Sequence, residues 1–440
     1  MNELAIIADD LTGATDSGVQ FARRGFNTQV VLHAEEVSAI ERNSEIIVLD
    51  TDSRAVAAGE AYERTRLAAL QVARMGFKHV YKKLDSTLRG NLGAEIDAVA
   101  DAIPVDCIIV APAYPKIGRT TRNGIHYVND VRIDRTETAK DPKSPVAEAD
   151  LVKLLASQSQ RQAGLLPLEA LRAGAEAASL RIGKLLRSGI EIIVCDAVSD
   201  EDLRRIADVA AAGVGRMLWA GSAGLAECLP DSLALARGRG AHEHLSRVVP
   251  ERGKPVLLVA GSISKITRSQ VAAFNQCPRT KAVELDAIAA MTSDEGCDRE
   301  LERCSSAVRT ALAAGFDVSL YAGCSPGQVR SAQVAGAARG LQAAEVSNRI
   351  ASLLGLAASE CMDTTELQGV ILTGGDTAKA VCRHLNASGI RLVREIEPGI
   401  PLGRLVGSIP LNVVTKAGAF GRENSLVHAK VVLKGEPVDE

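Results

Sequence analysis

Short apolar runs alternate along this chain with longer stretches in which apolar residues recur at helical spacing. In the first half the strand-like runs are Leu4–Ala8, Gln29–Leu32, Ile46–Leu49, His79–Tyr81, Cys107–Ala111, Ile190–Cys195 and Met217–Ala220. Helical patterns such as Ala57–Met75 and Leu168–Arg187 lie between them. This rhythm predicts a mainly parallel sheet covered by helices. Lys116–Pro145 breaks it: the segment is polar, carries the hairpin signal Asn123-Gly124, and reads as an extended insertion near the domain's edge. From Leu229 to Lys254, Pro230, Gly238, Gly240, Pro250 and Gly253 sit among charges and mark a domain boundary. A second series then runs through Val256–Ala260, Ala282–Leu285, Asp317–Tyr321, Gly369–Thr373 and Arg391–Ile396. The expected fold is α/β, with two lobes of mainly parallel sheet flanked by helices. They span residues 1–230 and 255–440, joined by a linker over 231–254, with a ligand cleft between them.

Bulk properties narrow the function. A chain of 440 residues exceeds one typical domain. A hydrophobic share of 46% with 24% charged residues is ordinary for a soluble globular protein. A net charge of −3 and 3% aromatics argue against a nucleic-acid partner, which needs a basic face or stacking platforms. No basic and apolar leader is visible, and no run approaches the ~18 apolar residues of a membrane span. The expectation is a cytoplasmic protein with no membrane partner. The 9 cysteines are scattered and form no Cys-x-x-Cys pair, so neither a zinc site nor a redox dithiol is expected. They read as small buried hydrophobes in a reducing compartment. His242 and His244 lie in a charged, Gly-rich stretch and read as linker rather than metal ligands. The sequence is compatible with a homodimer without requiring one.

The chemistry concentrates where apolar runs end. Ile6-Ile7-Ala8-Asp9-Asp10-Leu11-Thr12-Gly13-Ala14 reads as a buried strand handing two carboxylates to a loop. In open α/β sheets ligands bind beyond the carboxyl ends of strands. Like charges in contact raise each other's proton affinity, so the pair needs a reason. The plainer reading is that one Asp caps a helix starting near Thr15. Two further loops end neighbouring strands: Thr51-Asp52-Ser53-Arg54, and Lys82-Lys83-Leu84-Asp85-Ser86-Thr87-Leu88-Arg89-Gly90-Asn91 after Tyr81. Together they supply acids, hydroxyls, an Arg fork and Lys point charges, a mixture suited to a small polyhydroxy acid. A solvated basic turn is the alternative for the last loop taken alone.

In the second half three strand-to-helix junctions are glycine-rich: Gly261-Ser262-Ile263-Ser264, Thr373-Gly374-Gly375-Asp376-Thr377-Ala378 and Lys416-Ala417-Gly418-Ala419-Phe420-Gly421. Such turns let the backbone approach a phosphate at a helix N-terminus, although each also occurs for packing alone. The P-loop pattern Gly-x-x-x-x-Gly-Lys-Ser/Thr is absent, no Gly-x-Gly-x-x-Gly follows the first strand, and no Gly-x-Ser-x-Gly elbow appears.

On these residues the chain resembles, over essentially its whole length, the four-carbon acid sugar kinases, long carried as a domain of unknown function. The motifs are Ile7-Ala8-Asp9-Asp10-Leu11-Thr12-Gly13-Ala14 with Asp16-Ser17-Gly18-Val19-Gln20, then Lys82–Gly90, Thr373–Thr377 and Lys416–Gly421. Leu11 stands where many members carry Phe. The resemblance implies an ATP-dependent kinase acting on the terminal hydroxyl of a C4 sugar acid. It places the acid on the N-terminal domain and ATP on the C-terminal one. The implied substrate side is Asp9 or Asp10, Arg54 and Lys82, Lys83, Leu84, Asp85 and Ser86. The implied ATP side is Ser262, Ser264, Thr373, Gly374, Gly375, Asp376, Thr377, Gly418 and Gly421. Members act on D-threonate, D-erythronate or 3-oxo-tetronates, and the Asp16–Gln20 segment resembles the threonate type.

The expected roles follow phosphoryl-transfer chemistry. Mg²⁺ bridges phosphates, with Asp376 or an N-terminal acid as indirect ligand. Asp10, then Asp85, orients the hydroxyl and takes its proton; Lys82 or Lys83 offsets charge on the transferred group; Arg54 holds the substrate carboxylate. Closure of the lobes excludes water. Two rival classes are a non-catalytic sugar-acid binding protein and an NAD-dependent oxidoreductase.

Overall fold

A computed structural model describes residues 2–32, 44–141, 143–213, 215–236, 253–362 and 364–436. The chain divides into two compact units, Met1–His242 and Glu243–Glu440. His242, His244 and most of the expected linker lie outside the described residues.

The first unit runs β1 (Leu4–Ala8), α1 (Leu11–Ala22), β2 (Thr28–Val31), β3 (Ile46–Asp50), α2 (Ala58–Met75), β4 (His79–Lys83), α3 (Leu92–Ala102) and β5 (Cys107–Ala111). It continues with β6 (Arg119–Arg122), β7 (Ile125–Val128), β8 (Val131–Arg132), α4 (Leu151–Gln158), β9 (Ala163–Leu166), α5 (Leu168–Arg172) and α6 (Ala175–Arg187). It closes with β10 (Ile192–Cys195), α7 (Asp200–Ala211), β11 (Met217–Gly221) and α8 (Ala223–Ser232). The strands pair in parallel in the order β2-β3-β1-β4-β11-β5-β10-β9. All of β1, β3 and β5 is buried, because helices cover both faces of a parallel sheet and each strand must be apolar on both sides. On one face Ala5, Ile7, Ile47, Leu49, Val80 and Ile108 pack against Ala68, Ala69 and Val72 of α2 and Leu92, Ile96 and Val99 of α3. From β1 the chain goes first to β2, returns to β3 between β2 and β1, then crosses to β4 on the other side. The carboxyl ends of β1 and β4 therefore flank a topological switch point, where an open sheet leaves a crevice.

The second unit runs β12 (Val256–Ala260), α9 (Lys265–Asn275), β13 (Thr280–Leu285), α10 (Ala287–Thr292), α11 (Asp294–Ala313), β14 (Asp317–Ala322) and α12 (Pro326–Ala337). It continues with α13 (Ala343–Met362), β15 (Gly369–Thr373), α14 (Gly375–His384), β16 (Gly389–Glu397), β17 (Ile400–Val406), β18 (Asn412–Lys416) and α15 (Ser425–Lys434). Its order is β13-β14-β12-β15-β18-β17-β16, parallel up to β18 and antiparallel beyond. Val256, Leu258, Ile371 and Val414 bury one face against Phe274 of α9 and Leu426, Ala429 and Leu433 of α15. Here the switch point lies between β12 and β15. Both units are α/β, as the alternation implies.

Several boundaries differ from the sequence reading. Helix α1 starts at Leu11 rather than near Thr15, because Asp10 caps it: its side chain accepts from the Gly13 amide. Lys82 and Lys83 end a strand rather than open a loop. Leu168–Arg187 is two helices, broken at Gly174, whose φ of 118° no helix accommodates. Leu229 and Pro230 belong to α8 rather than to a linker. The insertion is a three-stranded antiparallel sheet, β6-β7-β8. Its turn is at Asn123-Gly124, with φ of 51° and 75°, the pair of positive values a type I′ hairpin needs. Asp196 pins that turn, accepting from the amides of Asn123 (2.8 Å) and Gly124 (2.9 Å).

Candidate functional site

At the first switch point the two carboxylates are held by one guanidinium. Arg54, just beyond β3, donates Nε to Asp9 at 2.6 Å and Nη1 to Asp10 at 2.6 Å. Its Nη2 reaches both acids, at 3.0 and 2.7 Å. The backbone fixes the approach, since the Ser53 and Arg54 amides donate to the Asp9 carbonyl. Arg54 thus faces two protein carboxylates rather than waiting for a ligand's. The reason is electrostatic: adjacent buried acids stay ionised only beside a cation. Burial pushes Asp9 up, but Arg54, Lys82 and Lys83 outweigh it and hold its carboxyl below the usual range. The two acids are not equivalent. The Asp9 side chain is 4% exposed and that of Asp10 17%, so Asp10 is the carboxylate within a ligand's reach.

The two adjacent lysines diverge because successive strand residues point to opposite faces. Lys82 is enclosed: its Nζ pairs with Glu95 of α3 at 2.7 Å and donates to the Ile7 and Lys83 carbonyls at 3.3 and 2.8 Å. It underlies the acid pair and is closed to a ligand, contrary to the direct role expected for it. Lys83 lies on the other face, against the first turn of α1, where a Cβ on Gly13 would stand 2.8 Å from its Nζ and 2.6 Å from Asp10. Among the described residues Lys83 has no ion-pair partner. Leu84 is buried core.

Asp85 accepts from Thr87 Oγ1 (2.8 Å) and Arg89 Nε (2.5 Å). Burial alone would raise its pKa; Arg89, Arg54 and Lys83 overcome this and hold the carboxyl far below the ordinary range. The Ser86 carbonyl accepts from Nε2 of His126 at 2.9 Å, which leaves Nδ1 to accept from Thr121 at 3.0 Å. The insertion sheet therefore steadies the Asp85 loop through a neutral, fully buried imidazole, and burial lowers the His126 pKa to about 4. The sign of the consequence is fixed. Between pH ~6.5 and about 4 the unfolded chain takes a proton that the folded one refuses, so stability falls as pH drops through that window. We expect a loss approaching ~3 kcal/mol by pH 4, flattened in His126→Gln, read from denaturant midpoints across pH.

In the second unit three strand ends converge. Ser264 caps α9 and donates to the Gly418 carbonyl at 2.6 Å, which also accepts from Thr267 at 2.9 Å. Buried Lys416 closes the loop after β18 by donating to the carbonyls of Ala417 (2.8 Å), Gly418 (3.2 Å) and Phe420 (3.1 Å). Burial lowers its pKa to about 7. The glycines leave no room for side chains: a Cβ on Gly261 would stand 2.1 Å from Thr377 Oγ1, and one on Gly418 2.2 Å from Ser262 Oγ. Gly374 takes φ 97° at the cap of α14 and offers no side chain to its first turn, so the amides there keep donors for an anion. Asp376 is the acid of that turn. Gly421 has φ 82° and turns the chain toward α15.

The first unit thus brings together Asp9, Asp10, Arg54, Lys83, Asp85 and Ser86. The second gathers Ser262, Ser264, Thr373, Gly374, Gly375, Thr377 and Gly418. Sequence reasoning missed Glu95, His126 and Thr267. Only Glu95 left a signal: it falls on the apolar stripe Leu92–Ile96–Val99, where a solvated acid has no place.

Among the described residues no group of three metal-ligating side chains exists, and no helix is long and apolar enough to cross a membrane. Two family models match the chain: "Sugar-binding N-terminal domain" over residues 4–229 and "Nucleotide-binding C-terminal domain" over residues 257–426. A D-threonate kinase of Salmonella typhimurium is 33% identical over 441 residues, covering 97% of each chain. A D-erythronate kinase of Heliobacterium modesticaldum is 33% identical, covering 97% of this chain and 95% of its own. The fold matches that of a Salmonella typhimurium LT2 protein of known crystal structure with a TM-score of 0.78, at 24% identity over 98% of this chain and 99% of that one.

Proposed function

The chain belongs to the four-carbon acid sugar kinase family, and from that premise we propose that it transfers the γ-phosphoryl group of ATP to the 4-hydroxyl of D-threonate. The observation that carries the acid side is the Asp9–Arg54–Asp10 clamp at a switch point, beside Lys83, which has no ion-pair partner among the described residues. Asp10, held by Arg54 and partly exposed, orients the terminal hydroxyl and accepts its proton. Arg54 fixes Asp10 in place through Nη1 and Nη2. Lys83 takes the charge-offsetting role on the transferred group. Asp85 and Ser86 line the same loop, and Asp85 is too strongly held as an anion to serve as a base near neutral pH.

The nucleotide side rests on the three glycine junctions at the second switch point. Ser262, Ser264, Thr373, Gly374, Gly375, Thr377, Gly418 and Gly421 form the turn set for the phosphates. A Mg²⁺ ion would be held by phosphate oxygens and waters, with Asp376 as an indirect carboxylate ligand, and it would neutralise phosphate charge. Gly261→Val places methyl groups against Thr377 and Leu354, so the KM for ATP is expected to rise ~10-fold or more while the KM for the acid stays within about threefold.

The assignment is tested by ADP release with ATP·Mg²⁺ against D-threonate, L-threonate, D-erythronate and the 3-oxo-tetronates. The reading expects the highest kcat/KM for D-threonate. Higher values for another C4 acid move the substrate within the class, and ADP release on none of them removes the reading.

A further inference from the structure

Arg119, the first residue of β6, is a cation without a carboxylate. It is 7% exposed and buried at the base of the insertion sheet. Its Nη1 donates to the Ile117 carbonyl at 2.7 Å, while its buried Nε has no partner. Among the described residues no acid lies within ion-pairing distance of it. The backbone holds it rigidly: its amide and carbonyl both exchange bonds with Tyr114. Two residues on in β6, Thr121 bonds His126, whose Nε2 donates to the Ser86 carbonyl, so Arg119 stands beside the Asp85 loop.

The other cations of this edge are committed. Arg54 serves Asp9 and Asp10, Lys82 serves Glu95, and Arg89 serves Asp85 and Asp141. A buried guanidinium satisfied by one carbonyl carries an uncompensated desolvation cost, and burial accordingly lowers its hold on the proton. Among the described residues Lys83 and Arg119 have no carboxylate partner, on a site whose ligand has two anionic ends during transfer. Lys83 stands beside Asp10, where the hydroxyl reacts.

We propose that Arg119 receives the carboxylate of the sugar acid and makes the site select acids over neutral polyols. This rests on the kinase reading given above. An arginine fork matches a carboxylate with two parallel N–H···O bonds, and the unpartnered Nε is one half of such a fork.

The test is steady-state kinetics of Arg119→Met and Arg119→Lys on the full chain, with a thermal melt of each. The expected result is a KM for the acid raised ~100-fold in Arg119→Met, a KM for ATP within about threefold of wild type, and partial recovery of the acid's KM in Arg119→Lys. An unchanged KM for the acid overturns the proposal. So does a loss confined to kcat, or one shared equally by the acid and ATP, since that is the pattern of an anchor for the Ile117 turn. If Arg119→Met does not fold, Arg119→Lys decides: its KM for the acid must exceed wild type with ATP unaffected. Absence of turnover by the wild-type chain on every C4 acid is a different failure, that of the kinase reading, and takes this inference with it.

Discussion

Asp10→Asn should lower kcat by ~10²–10⁴-fold while leaving the KM for ATP within about threefold. The substitution keeps the cap while it gives up the Oδ2 contacts to Arg54 Nη1 and Thr12. Asn caps helices as well as Asp does, so α1 keeps its first turn and the Gly13 amide keeps an acceptor. What disappears is the negative charge and the capacity to take a proton from the hydroxyl. Arg54 retains Asp9, so no guanidinium is left bare. A melt close to wild type is therefore expected beside the kinetic loss. Turnover near the wild-type rate would remove Asp10 from the chemistry and leave it as a cap, the plainer reading its position first allows. Asp9→Asn gives the contrast: its carboxylate is almost wholly enclosed, so its loss should act through Arg54 and spread over KM and kcat alike.

The largest structural effect is expected at Lys82. Lys82→Met strands the Glu95 carboxylate in a fully buried position and takes a donor from the Ile7 and Lys83 carbonyls. Breaking one partner of a buried pair costs ~3–5 kcal/mol, because the desolvation already incurred by the survivor is no longer offset. For a unit of this size that corresponds to ~6–20 °C in the first unit's melting midpoint. Lys82→Met with Glu95→Gln removes both charges and should recover much of the loss. The double-mutant cycle separates this from a direct role in transfer: a pair that only supports β4 shows coupling in stability, and activity returns with the fold. A single Lys82→Met variant that melts like wild type yet is inactive would contradict the enclosed pair.

What the sequence made legible follows from how strongly each feature is written locally. The strands of both parallel sheets stood out because they are continuous apolar runs, buried on both faces. β9, with only Ala163-Gly164-Leu165-Leu166, was too short and too small to register. β17 was missed because it carries Pro401 and Gly403, residues that argue against a strand. In the fold Pro401 lies opposite Glu395, just before the β17–β18 ladder begins at Leu402, and Gly403 lets the Ile390 side chain and Arg391 carbonyl approach within 2.6 and 2.7 Å of where a Cβ would be. The acid pair and the glycine junctions were legible because strand ends are where α/β chemistry gathers. Their partners were not. That Arg54 would turn to Asp9 and Asp10 and that His126 would reach Ser86 are outcomes of pairing between segments 40 and more residues apart. Burial, too, is a property of the packed unit. Arg119 reads in the sequence as one more arginine in a polar insertion, and only the fold leaves it without an acid.

Phosphorus NMR of the wild-type reaction with ATP·Mg²⁺ and D-threonate reports directly where the phosphoryl group goes. The expected spectrum shows one new phosphomonoester resonance, split by the C4 methylene protons and growing in step with ADP. Inorganic phosphate alone, or a resonance belonging to an acyl phosphate on the carboxylate, would contradict it.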